Sequence, residues 1–90
     1  MKTIKLIIHG RVQGVGYRRW FEQNAQNLAL GGYVKNLENG DVEAVIQGPE
    51  ADLQAMIKLS YIGPLRANVE GIAQEVLSDA EPFTHFKMIR

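Results

Sequence analysis

Short runs of apolar residues, separated by glycine, proline and polar residues, divide this chain into strand-like and helix-like segments. Residues 4–9 are rich in β-branched side chains and end at Gly10, which predicts a strand buried on at least one face. Residues 18–30 instead carry apolar side chains at helical spacing, which predicts an amphipathic helix that ends at Gly31-Gly32. Its apolar positions are Phe21, Ala25, Leu28 and Ala29.

The middle of the chain predicts a β-hairpin. Residues 33–37 and 42–47 are strand-like, and the turn between them contains Asn39-Gly40, a strong short-range hairpin pattern. We therefore expect two adjacent antiparallel strands here.

The second half predicts one helix and two more strands. Gly48-Pro49-Glu50 is typical of a helix start, with proline at the first helical position, and Gly63-Pro64 is typical of an end. We expect the inner face of this helix to hold Leu53, Met56, Ile57 and Tyr61.

Residues 67–77 predict the fourth strand. Val69 and Ile72 can share one face of it only across a register change, so we expect a β-bulge near Gly71. Residues 83–89 predict a last, edge strand, with either Phe86 and Met88 or Phe83 and Ile89 facing inward.

The predicted order βαββαβ defines a fold class. Right-handed crossovers that place both helices on one face of an antiparallel sheet give the ferredoxin-like α/β sandwich. At 90 residues, the chain has room for one core, so residues 1–90 are expected to form a single domain. This fold serves binding proteins and enzymes alike, so function depends on the site.

The composition of the chain excludes several classes of function. Ten basic and ten acidic residues give zero formal charge, which provides no field for collecting nucleic acid or binding an anionic membrane. The absence of cysteine excludes disulfides, thiolate metal sites and a cysteine nucleophile. No stretch resembles a signal peptide or a membrane span, so a cytoplasmic protein is expected, and a monomer is expected for so short a domain.

The junction at residues 10–18 is the strongest candidate site. Glycines let backbone N–H groups approach a ligand, a helix N-terminus carries partial positive charge, and Arg18 adds a planar set of donors, so we expect a phosphate site here. The segment lacks the Lys-Ser/Thr of a Walker loop and the third glycine of a dinucleotide motif, which argues against nucleotide binding.

This segment closely resembles the acylphosphatase motif Gly-x-Val-Gln-Gly-Val-x-aromatic-Arg. The matching residues are Gly10, Val12, Gln13, Gly14, Val15, Tyr17 and Arg18. Downstream, the stretch from Gly32 to Asn36 is similar to the family's Gly-aromatic-Val-x-Asn strand.

The resemblance implies hydrolysis of small acyl phosphates to a carboxylate and inorganic phosphate without metal or cofactor. By the family match, the catalytic pair is Arg18 and Asn36, with Asn36 orienting the attacking water. The implied phosphate-binding residues are Gln13, Gly14, Val15, Gly16, Tyr17 and Arg18, mainly through their backbone N–H groups. Tyr17 and Trp20 are expected to pack beside the helix start, and the Gln13 amide to brace the loop.

Two alternatives are less well supported by the sequence. RNA-recognition domains share the βαββαβ order, but residues 4–8 and 42–47 contain no aromatic side chain, so no nucleic-acid partner is expected. A domain that binds carbamoyl phosphate or another acyl phosphate within a larger maturation protein would share the motif, with slow or incidental catalysis.

Overall fold

All the predicted elements form. The computed structural model describes the whole chain, Met1–Arg90. Its helices and strands are, in chain order, β1 (Lys2–Arg11), α1 (Tyr17–Asn27), β2 (Gly31–Asn36), β3 (Val42–Gly48), α2 (Glu50–Ile62), β4 (Asn68–Val76) and β5 (Phe86–Ile89).

The strands form one sheet in the order β4-β1-β3-β2-β5. The first four pair antiparallel, as in the predicted ferredoxin-like fold, and β5 adds a parallel neighbour to β2. The expectation of an all-antiparallel sheet is therefore corrected to a mixed sheet. The parallel pair arises because the chain leaves β4 at one edge and crosses to the opposite edge before β5 begins.

A buried glutamine holds this crossing segment to the sheet. The Gln47 amide accepts from the backbone N–H of Phe83 at 2.8 Å and donates to the Glu81 carbonyl at 3.1 Å. It also donates to the Thr3 hydroxyl at 2.9 Å. All the polar atoms of the Gln47 amide therefore have partners, which permits its burial.

The core lies between the sheet and the two helices. Alternate residues of β1 face it, namely Ile4, Leu6 and Ile8, while Phe21 and Ala25 contribute the buried face of α1. On β5, Phe86 is buried and Met88 packs against the core, so the first of the two predicted orientations is correct. The core cluster is Ile4, Leu6, Ile8, Val12, Tyr17, Phe21, Ala25, Leu30, Val34, Val42, Ala44, Ile46, Leu53, Met56, Ile57 and Phe86.

The predicted bulge is present. The pairing between β1 and β4 shifts between His9 and Gly10, which oppose Gly71 and Val69, so Glu70 is the extra residue. A Cβ at Gly10 would lie 2.2 Å from the Asn68 carbonyl oxygen, so glycine is required where the two backbones approach.

Helix α1 ends earlier than predicted. Its last helical residue is Asn27, and Ala29 follows in the left-handed conformation with φ of 56°. The N–H groups of Ala29 and Leu30 donate to the carbonyls of Gln26 and Ala25, which is a Schellman motif. Gly31-Gly32, predicted as the stop, lies in β2 instead, where a Cβ on Gly32 would meet the Val45 carbonyl oxygen at 1.8 Å.

Helix α2 differs from the prediction at both ends. Pro49 is the N-cap, one residue before the first helical position. Near the other end, Tyr61 is 49% exposed and Ser60 is buried in its place, with its hydroxyl bonded to the Met56 carbonyl at 2.7 Å. That hydrogen bond removes the penalty of burying a serine. Neither helix has the length and apolar character needed to cross a bilayer.

The left-handed Ala29 leads to a stability prediction. Alanine in this conformation costs about 1 kcal/mol relative to glycine, so we expect Ala29→Gly to raise the free energy of unfolding by about 0.5–1 kcal/mol. Urea denaturation would measure the change. Ala51→Gly, on an exposed helical position of α2, is the control and should destabilise by a similar amount. An equal decrease in the free energy of unfolding of both variants would contradict the assignment of strain to Ala29.

Candidate active site

The predicted phosphate loop lines a cavity of about 310 Å³ where β1, β2 and β5 end and α1 begins. Its walls bring together both predicted catalytic residues, Arg18 and Asn36, although they lie 18 positions apart in sequence. The lining residues are Val12, Gln13, Gly14, Gly16, Tyr17, Arg18, Arg19, Asn36, Met88 and Arg90. Val15 is absent from the lining because its side chain packs against the core.

Two glycines set the backbone path of the loop. Gly14 and Gly16 have φ of 74° and 80°, in the left-handed region that other residues rarely adopt. Nothing lies within 4 Å of the Cβ position of either residue, so this side of the loop is open.

The loop leaves its backbone donors unused. None of the N–H groups from residues 13–19 donates a hydrogen bond to another group of the protein. The loop leads directly into α1, whose dipole places partial positive charge at the same end. The loop and the first turn of α1 therefore present a set of unpaired donors beside the cavity.

Gln13 braces the loop against the β2–β3 hairpin, as the sequence predicted. Its side-chain nitrogen donates to the carbonyls of Leu37 and Asp41, both at 2.8 Å. Leu37 follows Asn36 directly. These two bonds therefore fix the loop relative to the strand end that carries Asn36.

Tyr17 anchors the other end of the loop. Its buried hydroxyl donates to the Ser60 carbonyl at 2.7 Å. In a continuing helix that carbonyl would accept from residue 64, but residue 64 is a proline and has no N–H. Burial raises the pKa of the Tyr17 phenol above its ordinary value, with partial opposition from the Ser60 hydrogen bond, so the hydroxyl stays a donor at neutral pH.

Arg18 is held at its tip by the last strand. Its Nη1 donates to the Ile89 carbonyl at 2.8 Å, and the side chain is half-buried. A guanidinium has five N–H donors in one plane, so this bond leaves four for other acceptors.

Asn36 is the last residue of β2. It lies on the helix-facing side of the sheet, two positions after the buried Val34. Its side-chain amide makes no hydrogen bond within the protein. One donor group and one acceptor therefore remain available at the cavity wall.

The sequence did not indicate three further lining residues. Arg19 is exposed and also borders the cavity. Met88 and Arg90 reach it from β5 and the chain end. The position of β5 depends on its parallel register with β2, which no local pattern reveals.

The cavity wall carries basic side chains and no acidic side chain. No group of three or more histidine, aspartate or glutamate side chains is placed to hold a metal ion. His9, which has no carboxylate near it in sequence, acquires one in the fold, with Nδ1 2.9 Å from an Asp41 carboxylate oxygen. The site is thus an all-amide and guanidinium environment suited to an anion.

Comparisons with known proteins point to one family. A family model described as acylphosphatase matches residues 4–88. An acylphosphatase of Azorhizobium caulinodans is 49% identical over 80 residues, covering 89% of this chain and 85% of that one. The crystal structure of acylphosphatase from Bacillus subtilis has a TM-score of 0.97 at 32% identity and covers both chains completely. An acylphosphatase from Coxiella burnetii has a TM-score of 0.93 at 32% identity, covering 98% of this chain and 92% of that one.

The fold and the comparisons together define the class: a ferredoxin-like α+β hydrolase. The chain belongs to the acylphosphatase family. The sequence-based predictions of family, fold and an enzyme acting on acyl phosphates are confirmed.

The Tyr17 anchor can be tested separately from the chemistry. We expect Tyr17→Phe to lower the free energy of unfolding by about 1–3 kcal/mol, because the buried Ser60 carbonyl loses its partner. Denaturant titration measures this loss. Tyr61→Phe, at the adjacent exposed position of the same helix, should be neutral. A neutral Tyr17→Phe would show that the carbonyl finds another donor.

Proposed function

We propose that the loop from Gly10 to Arg18 holds the phosphoryl group of an acyl phosphate. The unpaired N–H groups of Gln13, Gly14, Val15, Gly16 and Tyr17 bind its oxygens, and Arg18 binds two of them through its remaining donors. Charge that develops on these oxygens in the transition state meets donors already in place, so little reorganisation is needed.

Asn36 is proposed to orient the attacking water. Its free amide lines the same cavity as the loop, where it can hold a water molecule beside a bound phosphoryl group. The water oxygen forms a new bond to phosphorus as the bond from phosphorus to the acyl oxygen breaks. The electron pair leaves on the carboxylate, and one water proton passes to a phosphoryl oxygen.

The leaving group explains why amide and guanidinium donors suffice. A carboxylate departs without protonation, whereas the alkoxide of a phosphate ester needs a general acid. No side chain of the cavity wall is a carboxylic acid or a histidine that could provide one. We therefore propose metal-independent hydrolysis that is selective for acyl phosphates over phosphomonoesters.

One observation carries this proposal. Six residues with unpaired backbone N–H groups border one cavity, together with the Arg18 guanidinium and an unengaged Asn36 amide, and no acidic side chain lines it. Donors left unpaired in this way add no stability to the fold and remain available to a ligand.

Substitution separates the two proposed catalytic roles. With benzoyl phosphate as substrate and a chelator present, we expect Arg18→Ala to lower kcat/KM at least about 10²–10³-fold and to weaken inhibition by inorganic phosphate. Asn36→Ala should lower kcat by a similar factor with little change in phosphate inhibition, because it places the water and not the phosphate.

Arg66→Ala is the matched control, because Arg66 is exposed and does not line the cavity. A phosphomonoester tests the leaving-group argument and should not be cleaved. Normal turnover by both site variants would contradict the assignment. Phosphate binding that depends on Arg18, without any acyl phosphate cleavage, would instead identify a phosphate-binding module.

The oligomeric state and the cellular location are two further parts of the proposal. We propose that residues 1–90 act as a single, monomeric domain, supported by the one core that all five strands and both helices share. We further propose a cytoplasmic location, because acyl phosphates are multiply charged and cross a bilayer poorly. Sedimentation and cell fractionation test these two points.

A further inference from the structure

One stripe of helix α1 is hydrogen-bonded to the backbone of β5 along its length. Arg18 Nη1 donates to the Ile89 carbonyl at 2.8 Å, and the Glu22 carboxylate accepts from the Met88 N–H at 2.9 Å. The Gln26 amide donates to the Phe86 carbonyl at 3.1 Å. The three side chains are spaced by four residues, so they lie on the same helix face.

The spacing of the helix matches that of the strand. Four residues of helix rise about 6 Å, and two residues of strand extend about 6.6 Å. Glu22 and Gln26 therefore reach backbone groups two strand residues apart, at Met88 and Phe86. Arg18, one step nearer the loop, takes the carbonyl at the end of the strand.

Glu22 and Gln26 occupy the free edge of β5. The Gly32 N–H donates to the His85 carbonyl, so the backbone N–H and C=O groups of His85 and of every second residue after it point toward β2. By alternation, the backbone groups of Phe86 and Met88 point toward the opposite edge of β5, where no sixth strand lies. The two side chains take the place of that missing strand.

The orientation of the Arg18 guanidinium depends on the position of β5, because its acceptor is the Ile89 carbonyl. The strand has only four residues and one neighbouring strand, so the hydrogen bonds from α1 add to its pairing with β2 and to the burial of Phe86 in fixing its position. Met88, which Glu22 holds, is adjacent to Ile89, whose carbonyl holds the Arg18 guanidinium. Displacement of Met88 would therefore move the acceptor that orients Arg18.

We propose that Glu22 is a positioning residue for Arg18, acting through Met88 and the Ile89 carbonyl. Glu22 does not line the cavity and does not touch substrate. This inference rests on the proposed role of Arg18 in binding the phosphoryl group.

The test compares substitutions along the stripe. We expect Glu22→Ala to weaken inorganic phosphate inhibition and to lower kcat/KM for benzoyl phosphate by about tenfold, mainly through KM, because Arg18 is misplaced. Glu22→Gln should stay within about twofold of the wild type, since its amide oxygen can still accept from Met88. Glu22→Asp, which is shorter by one methylene, should show a smaller loss in the same direction and serves if Glu22→Ala does not fold.

Two controls separate positioning from general stability. Gln26→Ala removes the bond farthest from Arg18 and should destabilise the fold while leaving phosphate inhibition within about twofold. Gln23→Ala, exposed on the same helix and without a hydrogen bond, should change neither property. The proposal is overturned if Glu22→Ala leaves phosphate inhibition intact, or if Gln26→Ala weakens it equally.

The two proposals fail in different ways. Loss of phosphate inhibition in Arg18→Ala without loss in Glu22→Ala removes only the positioning role. Unchanged inhibition in Arg18→Ala removes the proposed phosphate site itself.

Discussion

The buried hydrogen bond from Tyr17 to the Ser60 carbonyl joins the first residue of one helix to the last turn of the other. Because Pro64 cannot donate to that carbonyl, the end of α2 depends on a side chain that lies 43 residues earlier. The start of α1 is fixed by the same contact. The loop before it can then keep its N–H groups unpaired, because its shape is set by anchors at both ends and not by internal hydrogen bonds.

A neutral protein can hold an anion when charge is arranged locally. The chain has zero formal charge, yet Arg18, Arg19 and Arg90 border one cavity that no acidic side chain lines. Some acidic side chains are paired elsewhere, as on the open sheet face, where Glu43 lies 3.7 Å from both Lys5 and Lys35. There, burial together with Glu43 raises the pKa of Tyr33 to about 12, so its hydroxyl remains a donor to that carboxylate. Separating paired from unpaired charge creates the anion site without a net field.

The sequence predicted those features that depend on local rules. The β-branched residues identified β1, and the Asn-Gly hairpin pattern identified β2 and β3. The spacing of Val69 and Ile72, which cannot share a face without a register change, located the bulge. The end of α1 was misplaced because Gly31-Gly32 resembles a helix stop, whereas glycine is needed there for a close approach between strands. No local sequence pattern predicted that Met88, Ile89 and Arg90 lie at the cavity. Their position follows from the parallel register of β5 with β2, which is set by the long segment between β4 and β5. The loop motif and the downstream Gly-aromatic-Val-x-Asn stretch, by contrast, indicated Arg18 and Asn36, which both line one cavity.

The occupied edge of β5 also affects how copies of this chain can meet. With Glu22 and Gln26 bonded along that edge, β4 is the one strand of the sheet that presents a row of unpaired backbone groups to solvent. Strand-to-strand association needs two such edges per molecule to propagate into a fibre. A molecule with one edge can pair with a single neighbour, and the assembly then stops at two.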